Sequence, residues 1–335
     1  MSIAPFAVSL GDPAGVGPEI VAKAWEQRHE RALPCFFAVG DVASLSAVWD
    51  GPVARIEDPS KAIAAFNEAL PCLHIDECGP VTPGQPTYEG ARCALQSLEL
   101  SAGLARSGSA GGIVTGPISK KQLYSVGFTH PGQTEFIAER CGVARSNAVM
   151  MLMGPSLRVV PITTHMPLKE VFEVLSVDLI KARAHAAVKG LQRNFAIDKP
   201  RVALAGLNPH AGEEGALGME EIEIFAPAIE QLRAEGINIS GPWSADSMFH
   251  DRARATFDVA LCPYHDQALI PVKTLHFDDG VNMTLGLPIV RTSPDHGTAF
   301  NIAGKGEAHP GAMIAAIETA AISAENRLTY CRSSG

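Results

Sequence analysis

Short apolar runs alternate along the chain with longer segments in which apolar residues recur every three or four positions. The runs predict strands and the periodic segments predict helices. The predicted strands include Phe6–Leu10, Gly112–Thr115, Val202–Ala205 and Val259–Cys262, and the predicted helices are Pro18–His29, Glu89–Arg106, Asp178–Phe195, Glu220–Ala234 and Pro310–Asn326. Strands alternating with helices favour an α/β fold with a largely parallel sheet.

Three further apolar runs predict strands in the middle and later part of the chain. Ala148–Met153 and Leu157–Ile162 are separated only by a Gly-Pro-Ser turn, which favours an antiparallel hairpin. Ala268–Val272 is also strand-like. No polar linker interrupts the sequence, so we expect two intertwined domains, with the last segment of the chain returning to the first domain.

The composition limits the partners that the protein can have. The chain has 335 residues and a formal net charge of −9, with 6% aromatic residues and no basic block. An acidic surface of this kind disfavours binding to nucleic acid or to an anionic membrane. An anionic ligand must therefore be held by a few local cations.

Cysteine usage and the apolar pattern indicate the compartment. The seven cysteines are scattered and include no C-x-x-C pair, which predicts free thiols in a reducing environment. The first residues lack a basic segment followed by an apolar stretch, so we expect no signal peptide. No run approaches the ~20 apolar residues of a membrane span. We expect a cytoplasmic protein.

Three histidines, His165, His210 and His265, each follow a predicted strand. Ligands of open α/β sheets bind beyond the carboxyl ends of the strands, so the three imidazoles can converge on one cleft. Three neutral imidazoles with an open coordination position form a known catalytic zinc arrangement. Asp246 and Asp266 are candidate carboxylates for the same site.

The pattern alone leaves the third metal ligand open. The three histidines are far apart in sequence and do not form a local metal motif. His250, His276 and His296 are therefore alternatives for the third ligand.

A group of polar residues follows the third histidine. Lys273 and Arg291 each follow an apolar stretch, and Asn282 lies between them after Gly280. A lysine point charge and a planar arginine fork together suit a phosphate or a carboxylate. The sequence therefore predicts that these residues bind a small anionic group.

Two glycine-rich segments lie near opposite ends of the chain. Residues 11–20, GDPAGVGPEI, fit neither common nucleotide template, because Ile20 stands where G-x-G-x-x-G needs glycine and Pro18 stands where a P-loop has lysine. Residues 296–306, HGTAFNIAGKG, are small and polar. They suit the close approach of a flat ligand such as adenine, and a purely structural turn is the alternative.

These segments resemble those of a known enzyme family. GDPAGVGPE and HGTAFNIAGKG are similar to the opening motif and the adenosine-binding loop of isocitrate and isopropylmalate dehydrogenases. TGPISK, TTHMPL, GLNPHAGEEG, YHDQ and GVNMTLGLPIVRTSPDHGTA resemble the 4-hydroxythreonine-4-phosphate dehydrogenases, which act in pyridoxal phosphate biosynthesis. The resemblance covers essentially the whole chain.

The resemblance implies a fold and a subunit arrangement. The fold would be a three-layer α/β/α structure like that of isopropylmalate dehydrogenase, with two intertwined subdomains and a cleft between them. Residues 1–132 with 300–335 would form the first subdomain. Residues 133–299 would form the second, which carries the metal and phosphate sites and the interface of a homodimer. The active site would lie at that subunit interface.

The resemblance also assigns roles to individual residues. It implies one divalent metal ion per subunit (zinc, magnesium or cobalt), bound by His165, His210 and His265. The implied substrate contacts are Gln133, Thr134, Lys273, Asn282 and Arg291. The cofactor, NAD or NADP, is expected at His296, Gly297, Thr298, Ala299 and Asn301, with Gly11 and Asp12 as further candidates. The general base stays open among Asp246, Asp266 and Lys273.

One position departs from the family pattern. The family has Gly-His-Thr-Glu where this chain has Gly132-Gln133-Thr134-Glu135. A glutamine amide forms neutral hydrogen bonds but cannot carry charge or act as an acid. We expect the substrate choice or the pH dependence to differ here if the family histidine titrates during turnover.

The implied reaction is the NAD(P)-dependent oxidation of 4-phosphooxy-L-threonine. Its product, 2-amino-3-oxo-4-phosphooxybutanoate, loses CO₂ to give 3-amino-2-oxopropyl phosphate. Related metal-dependent dehydrogenases of phosphorylated sugar acids or aromatic dihydrodiol carboxylates are one alternative. Acyl transfer of the phosphate acetyltransferase kind, on a similar fold, is an alternative from another class.

Overall fold

The computed structural model describes residues 3–76 and 78–333. The chain divides into two compact units, each entered twice by the chain. Unit 1 comprises the residues up to 145 together with 287–325, and unit 2 comprises 146–286 together with the residues from 326 onward. The sequence places these boundaries at 132/133 and 299/300. Gln133, Thr134 and Arg291 therefore belong to unit 1 and not to the unit that carries the histidines.

Unit 1 contains a parallel sheet with helices packed on it. Its strands are β1 (Phe6–Ser9), β2 (Phe36–Gly40), β3 (Val53–Ile56), β4 (Leu70–His74), β5 (Ile113–Thr115) and β12 (Arg291–Pro294). Its helices are α1 (Gly17–Glu26), α2 (Val42–Ser46), α3 (Ala62–Ala65), α4 (Tyr88–Ser107), α5 (Lys120–Ser125), α6 (Gln133–Arg140) and most of α12 (Gly311–Ser333).

The strands of unit 1 follow the order β3-β4-β2-β1-β5-β12, and neighbouring strands pair in parallel. Every residue of β1 and β2 is buried. Continuous burial is expected where helices cover both faces of a parallel sheet. The carboxyl ends of β1, β5 and β12 lie at one edge of this sheet.

Unit 2 contains a mixed sheet. Its strands are β6 (Val149–Gly154), β7 (Leu157–Pro161), β8 (Val202–Ala205), β9 (Ile239–Trp243), β10 (Val259–Cys262) and β11 (Val281–Leu285). Its helices are α7 (Leu168–Val174), α8 (Val177–Phe195), α9 (Ala226–Ala234), α10 (Asp251–Arg254) and α11 (His265–Leu275). The strand order is β11-β6-β7-β10-β8-β9, antiparallel at β11/β6 and β6/β7 and parallel elsewhere.

Each face of the unit 2 sheet has its own apolar core. Leu261 of β10 packs in one core with Leu232 of α9. The neighbouring strand residues Ala260 and Cys262 pack in the other core with Leu269 of α11. Because successive strand residues point to opposite faces, helices cover both sides of the sheet. Unit 2 is therefore a three-layer α/β/α structure, which confirms the predicted fold class.

Most of the predicted elements are confirmed, and three details differ. The predicted strand at Ala268–Val272 is wrong: these residues lie within α11, because so short an apolar run has no periodicity that separates a strand from a buried helix. α8 begins at Val177 and not at the predicted Asp178, and Ser176 caps it, since its Oγ accepts a hydrogen bond from Leu179 N at 3.3 Å. A π turn at Glu221–Phe225 precedes α9.

The prediction that every cysteine is a free thiol is wrong for one pair. Cys78 and Cys93 are joined by a disulfide bond, and both side chains are buried. Cys78 lies in the loop before α4 and Cys93 on the buried face of that helix, a juxtaposition that their spacing in sequence does not indicate. Within the described part of the chain, no helix is long and apolar enough to cross a membrane.

Candidate active site

Two of the three predicted metal-binding histidines lie together in unit 2. His165 follows β7, and His265 is the first residue of α11, just beyond β10. β7 and β10 are parallel neighbours, so their carboxyl ends meet at one edge of the sheet. The centroids of the two imidazole rings are 5.3 Å apart. The fold thus brings residues a hundred positions apart in sequence to one place.

The histidine pair lines a cavity of about 370 Å³, which is formed by residues 163–168 and Tyr264–Asp266 with Val171. His265 Nδ1 lies 2.8 Å from Asp266 Oδ1. When a carboxylate accepts a hydrogen bond from the Nδ1–H group of a neutral imidazole, the Nε2 atom is available to bind a metal ion. His265 and Asp266 also border a second hollow of about 410 Å³, together with Lys273 of α11.

His210 does not complete this pair within one chain. It follows β8 in the segment Pro209–Gly215, and its side chain is exposed. Among residues 3–76 and 78–333, no three histidine, cysteine, aspartate or glutamate side chains lie close enough together to hold a metal ion. A single copy of the chain therefore presents two of the three predicted ligands in one place.

The backbone that carries His210 has an unusual conformation. Five successive residues, His210–Glu214, have φ angles between 43° and 79°. This left-handed conformation costs roughly 1–2 kcal/mol for each residue other than glycine. His165 also has a positive φ, of 44°. Such strain persists only where the surrounding structure fixes it, and it is concentrated at functional sites.

The two candidate carboxylates lie in different surroundings. Asp266 is next to His265, as described above. Asp246 lies in the turn Ala245–Ser247, where Ser244 Oγ donates a hydrogen bond to it at 2.6 Å. This turn packs against the segment Pro209–Gly215. Asp246 is therefore associated with the segment of His210, whereas Asp266 is associated with the histidine pair.

Three of the five predicted substrate contacts lie together in unit 1, around Arg291. This residue begins β12 and is only 4% exposed. Its Nη2 donates to Thr115 Oγ1 at 2.8 Å and to Gln133 Oε1 at 3.2 Å, and its Nη1 lies 3.4 Å from Thr134 Oγ1. Gln133 is fixed in turn, since its Nε2 donates to Gly116 O at 3.0 Å. The end of β5, the start of α6 and the start of β12 thus build one cluster.

The charge of Arg291 persists at neutral pH. Burial lowers the pKa of this guanidinium to about 10, and the carboxylate of Glu135 opposes the shift. The threonine and glutamine oxygens orient the guanidinium and are themselves neutral. An oriented and largely desolvated guanidinium is well suited to a phosphate or carboxylate.

The other two predicted substrate contacts, Lys273 and Asn282, belong to unit 2. Lys273 lies on α11, two turns beyond His265, and borders the second hollow with it. Asn282 lies on β11, and its Oδ1 atom is buried and accepts no hydrogen bond from the described residues. A buried acceptor left unsatisfied is costly. A hydrogen-bond donor on a ligand would remove that cost.

The two glycine-rich segments pack against each other in unit 1. Val16 N donates to Thr298 O at 2.9 Å. A Cβ atom on Gly17 would lie 1.9 Å from Leu10 O, so only glycine fits at the start of α1. The first segment therefore supports the second one, which the chain supplies almost 300 residues later.

A buried carboxylate strengthens this contact. Glu19 of α1 is 2% exposed, and it accepts hydrogen bonds from Gly304 N at 3.2 Å and Ala308 N at 3.1 Å. Lys23 Nζ lies 2.8 Å from Glu19 Oε1 and donates to Gly306 O and Ala308 O. Residues 304–308 are thus bound to α1 by both a carboxylate and an ammonium group.

The predicted cofactor contacts differ in accessibility. His296, Gly297 and Asn301 are exposed, and Thr298 and Ala299 are half-buried. Gly11 and Asp12 are buried, Asp12 Oδ1 accepts a hydrogen bond from Ala14 N at 3.1 Å, and burial raises the pKa of Asp12. The exposed loop can meet a ligand, whereas Gly11 and Asp12 form part of its support.

Sequence reasoning missed three residues of these sites: Thr115, Glu19 and Glu221. Thr115 has a signal in the sequence, as a polar residue at the end of the buried strand β5, and so has Glu19, as an acidic residue within the glycine-rich motif. Glu221 gave no signal in the sequence, because only the folded chain brings it to the segment of His210.

Comparisons with known proteins identify the family of the chain. The model of the family described as pyridoxal phosphate biosynthetic protein PdxA matches residues 32–320. The chain is 57% identical over 330 residues to the 4-hydroxythreonine-4-phosphate dehydrogenase of Zymomonas mobilis subsp. mobilis, with 98% of each chain covered.

Solved structures show the same likeness. The crystal structure of 4-hydroxythreonine-4-phosphate dehydrogenase from Klebsiella pneumoniae matches with a TM-score of 0.85 and 34% identity, covering 96% of this chain and 98% of that one. A terephthalate 1,2-cis-dihydrodiol dehydrogenase from Burkholderia xenovorans matches with a TM-score of 0.64 and 27% identity, covering 95% and 98%. The resemblance found in the sequence is confirmed, and the chain belongs to the PdxA family of oxidoreductases, which act in pyridoxal phosphate biosynthesis.

Proposed function

We propose that the protein oxidises 4-phosphooxy-L-threonine with NAD or NADP and that the product then loses CO₂ to give 3-amino-2-oxopropyl phosphate. Family membership supports the reaction class. The observation that carries the choice of an anionic substrate is the buried Arg291, whose guanidinium is oriented by Thr115, Gln133 and Thr134. A phosphate or a carboxylate can bind this cation, and the similarity to 4-hydroxythreonine-4-phosphate dehydrogenases favours the phosphate.

The proposed reaction has two steps, an oxidation and a decarboxylation. Oxidation transfers the hydrogen on C3 as a hydride to the nicotinamide and gives the hydroxyl proton to a base. Decarboxylation then breaks the C1–C2 bond, and a proton replaces CO₂ on C2. The protein must therefore orient the C3–H bond, accept a proton and keep the phosphate fixed while charge develops at C2.

The donor set of unit 2 fits a divalent metal ion such as zinc, magnesium or cobalt. Two imidazoles with ring centroids 5.3 Å apart can bind the same ion, and Asp266 orients one of them. A bound ion would supply Lewis-acid polarisation of the substrate hydroxyl and ketone. His165 and His265 would hold the ion, and His210 of a second copy would be the third ligand.

The remaining candidate residues would bind the substrate or accept its proton. Lys273 and Asn282 would contact the substrate, with Asn282 Oδ1 accepting a hydrogen bond from one of its N–H or O–H groups. Asp266 orients His265, and Asp246 accepts from Ser244 in a separate turn. Lys273, Asp246 and Asp266 are the three candidates for the base.

The exposed segment around His296 is the proposed site for the cofactor. His296, Gly297 and Asn301 would contact it directly, together with Thr298 and Ala299. Gly11 and Asp12 would contribute by shaping the loop, because both are buried. The exposed glycine at 297 leaves space for a flat adenine ring, since a Cβ atom there would meet nothing within 4 Å.

A homodimer with a shared site is part of the proposal. Among the described residues, most of the exposed large apolar side chains belong to unit 2, including Leu168, Phe172, Ile270 and Phe277. Phe277 is 80% exposed. A contiguous interface would remove such side chains from water. It would also bring His210 of one copy to the histidine pair of the other.

A mixing experiment tests the shared site. His165→Ala and His210→Ala are each expected to be inactive, and a co-refolded mixture should regain about a quarter of wild-type activity, because mixed dimers hold one intact site each. Full inactivity of the mixture would show that each site is built from one chain.

Substrate comparison tests the reaction. We expect nicotinamide reduction with 4-phosphooxy-L-threonine and at least about 100-fold lower kcat/KM with 4-hydroxy-L-threonine, which lacks the phosphate. A chelator should abolish both activities. Equal rates with and without phosphate would favour a dihydrodiol carboxylate, and chelator-resistant acyl transfer to phosphate would favour the transferase class.

A further inference from the structure

Glu221 is a buried carboxylate whose hydrogen bonds all go to one neighbouring segment. It is 4% exposed and begins the π turn Glu221–Phe225. Its Oε1 accepts from Leu207 N and from Asn208 N, both at 2.8 Å, and its Oε2 accepts from Asn208 Nδ2 at 2.9 Å. Three donors within two successive residues therefore converge on a single side chain.

Leu207 and Asn208 lie directly before the left-handed residues His210–Glu214. We call the three hydrogen bonds that join Leu207 and Asn208 to Glu221 the bracket. β8 ends at Ala205, so the amides of Leu207 and Asn208 have left the sheet and need other acceptors. Asn208 then accepts a hydrogen bond from Ala211 N through its carbonyl oxygen, at 3.1 Å. Asn208 is thus tied to Glu221 on one side and to the turn that contains His210 on the other.

The left-handed turn also packs directly on the bracket. A Cβ atom on Gly212 would lie 2.8 Å from Glu221 Oε2, and one on Gly218 would lie 2.4 Å from Asn208 Nδ2. The two glycines therefore allow the segment to close over the carboxylate. π turns occur frequently at functional sites, and here the π turn begins at the bracketing residue.

We propose that Glu221 is a positioning residue for His210: its carboxylate holds the 206–218 segment in the one conformation in which the histidine is ready to bind a metal ion. A metal ligand must be held to within about 0.5 Å of its productive position, and strained left-handed backbone does not maintain itself. The inference rests on the proposed function, because it takes His210 to be a ligand.

The test compares Co²⁺ binding to the full-length, metal-stripped protein and two glutamine variants. Glu221→Gln keeps the size of the side chain but turns an NH₂ group toward a backbone amide or toward Asn208 Nδ2. The affinity of Glu221→Gln for Co²⁺, measured from the visible absorption of the bound ion, should fall about 10- to 100-fold. Glu223→Gln, on the same turn and exposed, should bind Co²⁺ as the wild type does.

Hydrogen exchange of the metal-free protein gives a second readout. In Glu221→Gln the amides of residues 206–218 should exchange faster, whereas those of β7 and β10 should keep wild-type rates. Wild-type Co²⁺ affinity and wild-type exchange in Glu221→Gln would overturn the positioning role. So would acceleration spread evenly over unit 2, because that would mark a general loss of stability.

His210→Ala separates this inference from the proposed function. If His210→Ala binds Co²⁺ as tightly as the wild type, the proposed metal site fails. If His210→Ala loses affinity and Glu221→Gln does not, only the positioning role fails.

A second variant keeps the test decisive if Glu221→Gln does not fold. Asn208→Ala removes the bonds that Asn208 Nδ2 donates to Glu221 Oε2 at 2.9 Å and to Glu220 Oε2 at 2.7 Å, and it leaves the two backbone bonds to Glu221. We expect it to bind Co²⁺ about tenfold more weakly than the wild type, and unchanged affinity would overturn the proposal.

Discussion

Each unit has a segment that a buried glutamate holds and that we propose to bind a ligand, but the two sites are completed differently. In unit 1, Glu19 binds residues 304–308, which lie 285 positions further along the chain, and Lys23 pairs with it. In unit 2, Glu221 binds a segment only 13–14 residues away. Both glutamates accept backbone N–H groups that have no partner in a helix or strand.

This difference indicates which parts of the proposed site one copy of the chain can form by itself. In unit 1, one copy forms the cluster around Arg291 and the contacts of α1 with residues 296–308, the cofactor segment, where we propose that NAD or NADP binds. In unit 2, one copy brings two histidines together, and the third is fixed in a strained turn. A rigid turn that presents a ligand outward is the arrangement expected if a second copy uses it, so we infer that unit 2 carries the shared part of the site.

The largest effect is expected from breaking the histidine pair. His165→Ala should lower kcat/KM by about 1000-fold, because loss of a ligand removes several kcal/mol of charge stabilisation from the transition state. The Co²⁺ affinity should fall with it. His185→Ala, whose ring pairs with Glu235 on the surface, is the control, and an equally large loss there would contradict the assignment.

The next effect concerns the unit 1 cation. Arg291→Lys should lower kcat/KM for the phosphorylated substrate about 100-fold, because lysine cannot reproduce the planar two-point contact. Kinetics at saturating cofactor would measure the loss. Arg55→Lys, in an exposed pair with Asp76, should be silent; a silent Arg291→Lys would remove Arg291 from the substrate site.

The pKa of Arg291 adds a pH dependence with a defined sign. Its value of about 10 lies below the ordinary 12.5, so the cation is fully present at neutral pH. Its contribution to phosphate binding should be lost only as the pH rises toward 10. The wild type could instead lose substrate affinity with a midpoint below pH 8 while Arg291→Lys does not. That result would contradict the assignment of the pH dependence to a guanidinium with a pKa of about 10.

A smaller effect should follow from weakening the support of the cofactor segment. Glu19→Gln places an NH₂ group among the donors of Lys23, Gly304 and Ala308, so one buried bond is replaced by repulsion. We expect the KM for NAD or NADP to rise about tenfold and the free energy of unfolding to fall by about 1–3 kcal/mol. The kcat should change little.

The control for this variant is Glu30→Gln, an exposed position just beyond α1. It should leave both the KM for the cofactor and the unfolding midpoint unchanged. An equal rise in the KM for the amino-acid substrate in Glu19→Gln would show that the contact supports the whole protein and not the cofactor segment.

The smallest effect should come from restoring the family histidine. Arg291 lies beside position 133, and its charge should lower the pKa of an imidazole there below the ordinary 6.5. Gln133→His should therefore keep a substrate KM within about threefold of wild type at pH 7.5 and show a new pH dependence near pH 6. A pH profile of Gln133→His that matches the wild-type profile near pH 6 would mean that position 133 is incidental.

The sequence determined the local elements and the chemistry of the residues. Apolar strands such as Val202–Ala205 and Val259–Cys262 were predicted at their observed bounds, because a fully buried strand is a short, uninterrupted apolar run. The histidines, Arg291 and the two glycine-rich segments were found from residue type and position. The family followed from motifs that cover the whole chain.

Only the tertiary structure decided which of these residues meet. Strand pairing brought His165 to His265 and left His210 exposed in the segment Pro209–Gly215, because such distances depend on sheet order and not on sequence spacing. It also grouped Gln133 and Thr134 with Arg291 in unit 1, and it joined Cys78 to Cys93. The roles of Glu19 and Glu221 arise in the same way: a carboxylate becomes a support only when folding buries it beside amides that have no other acceptor.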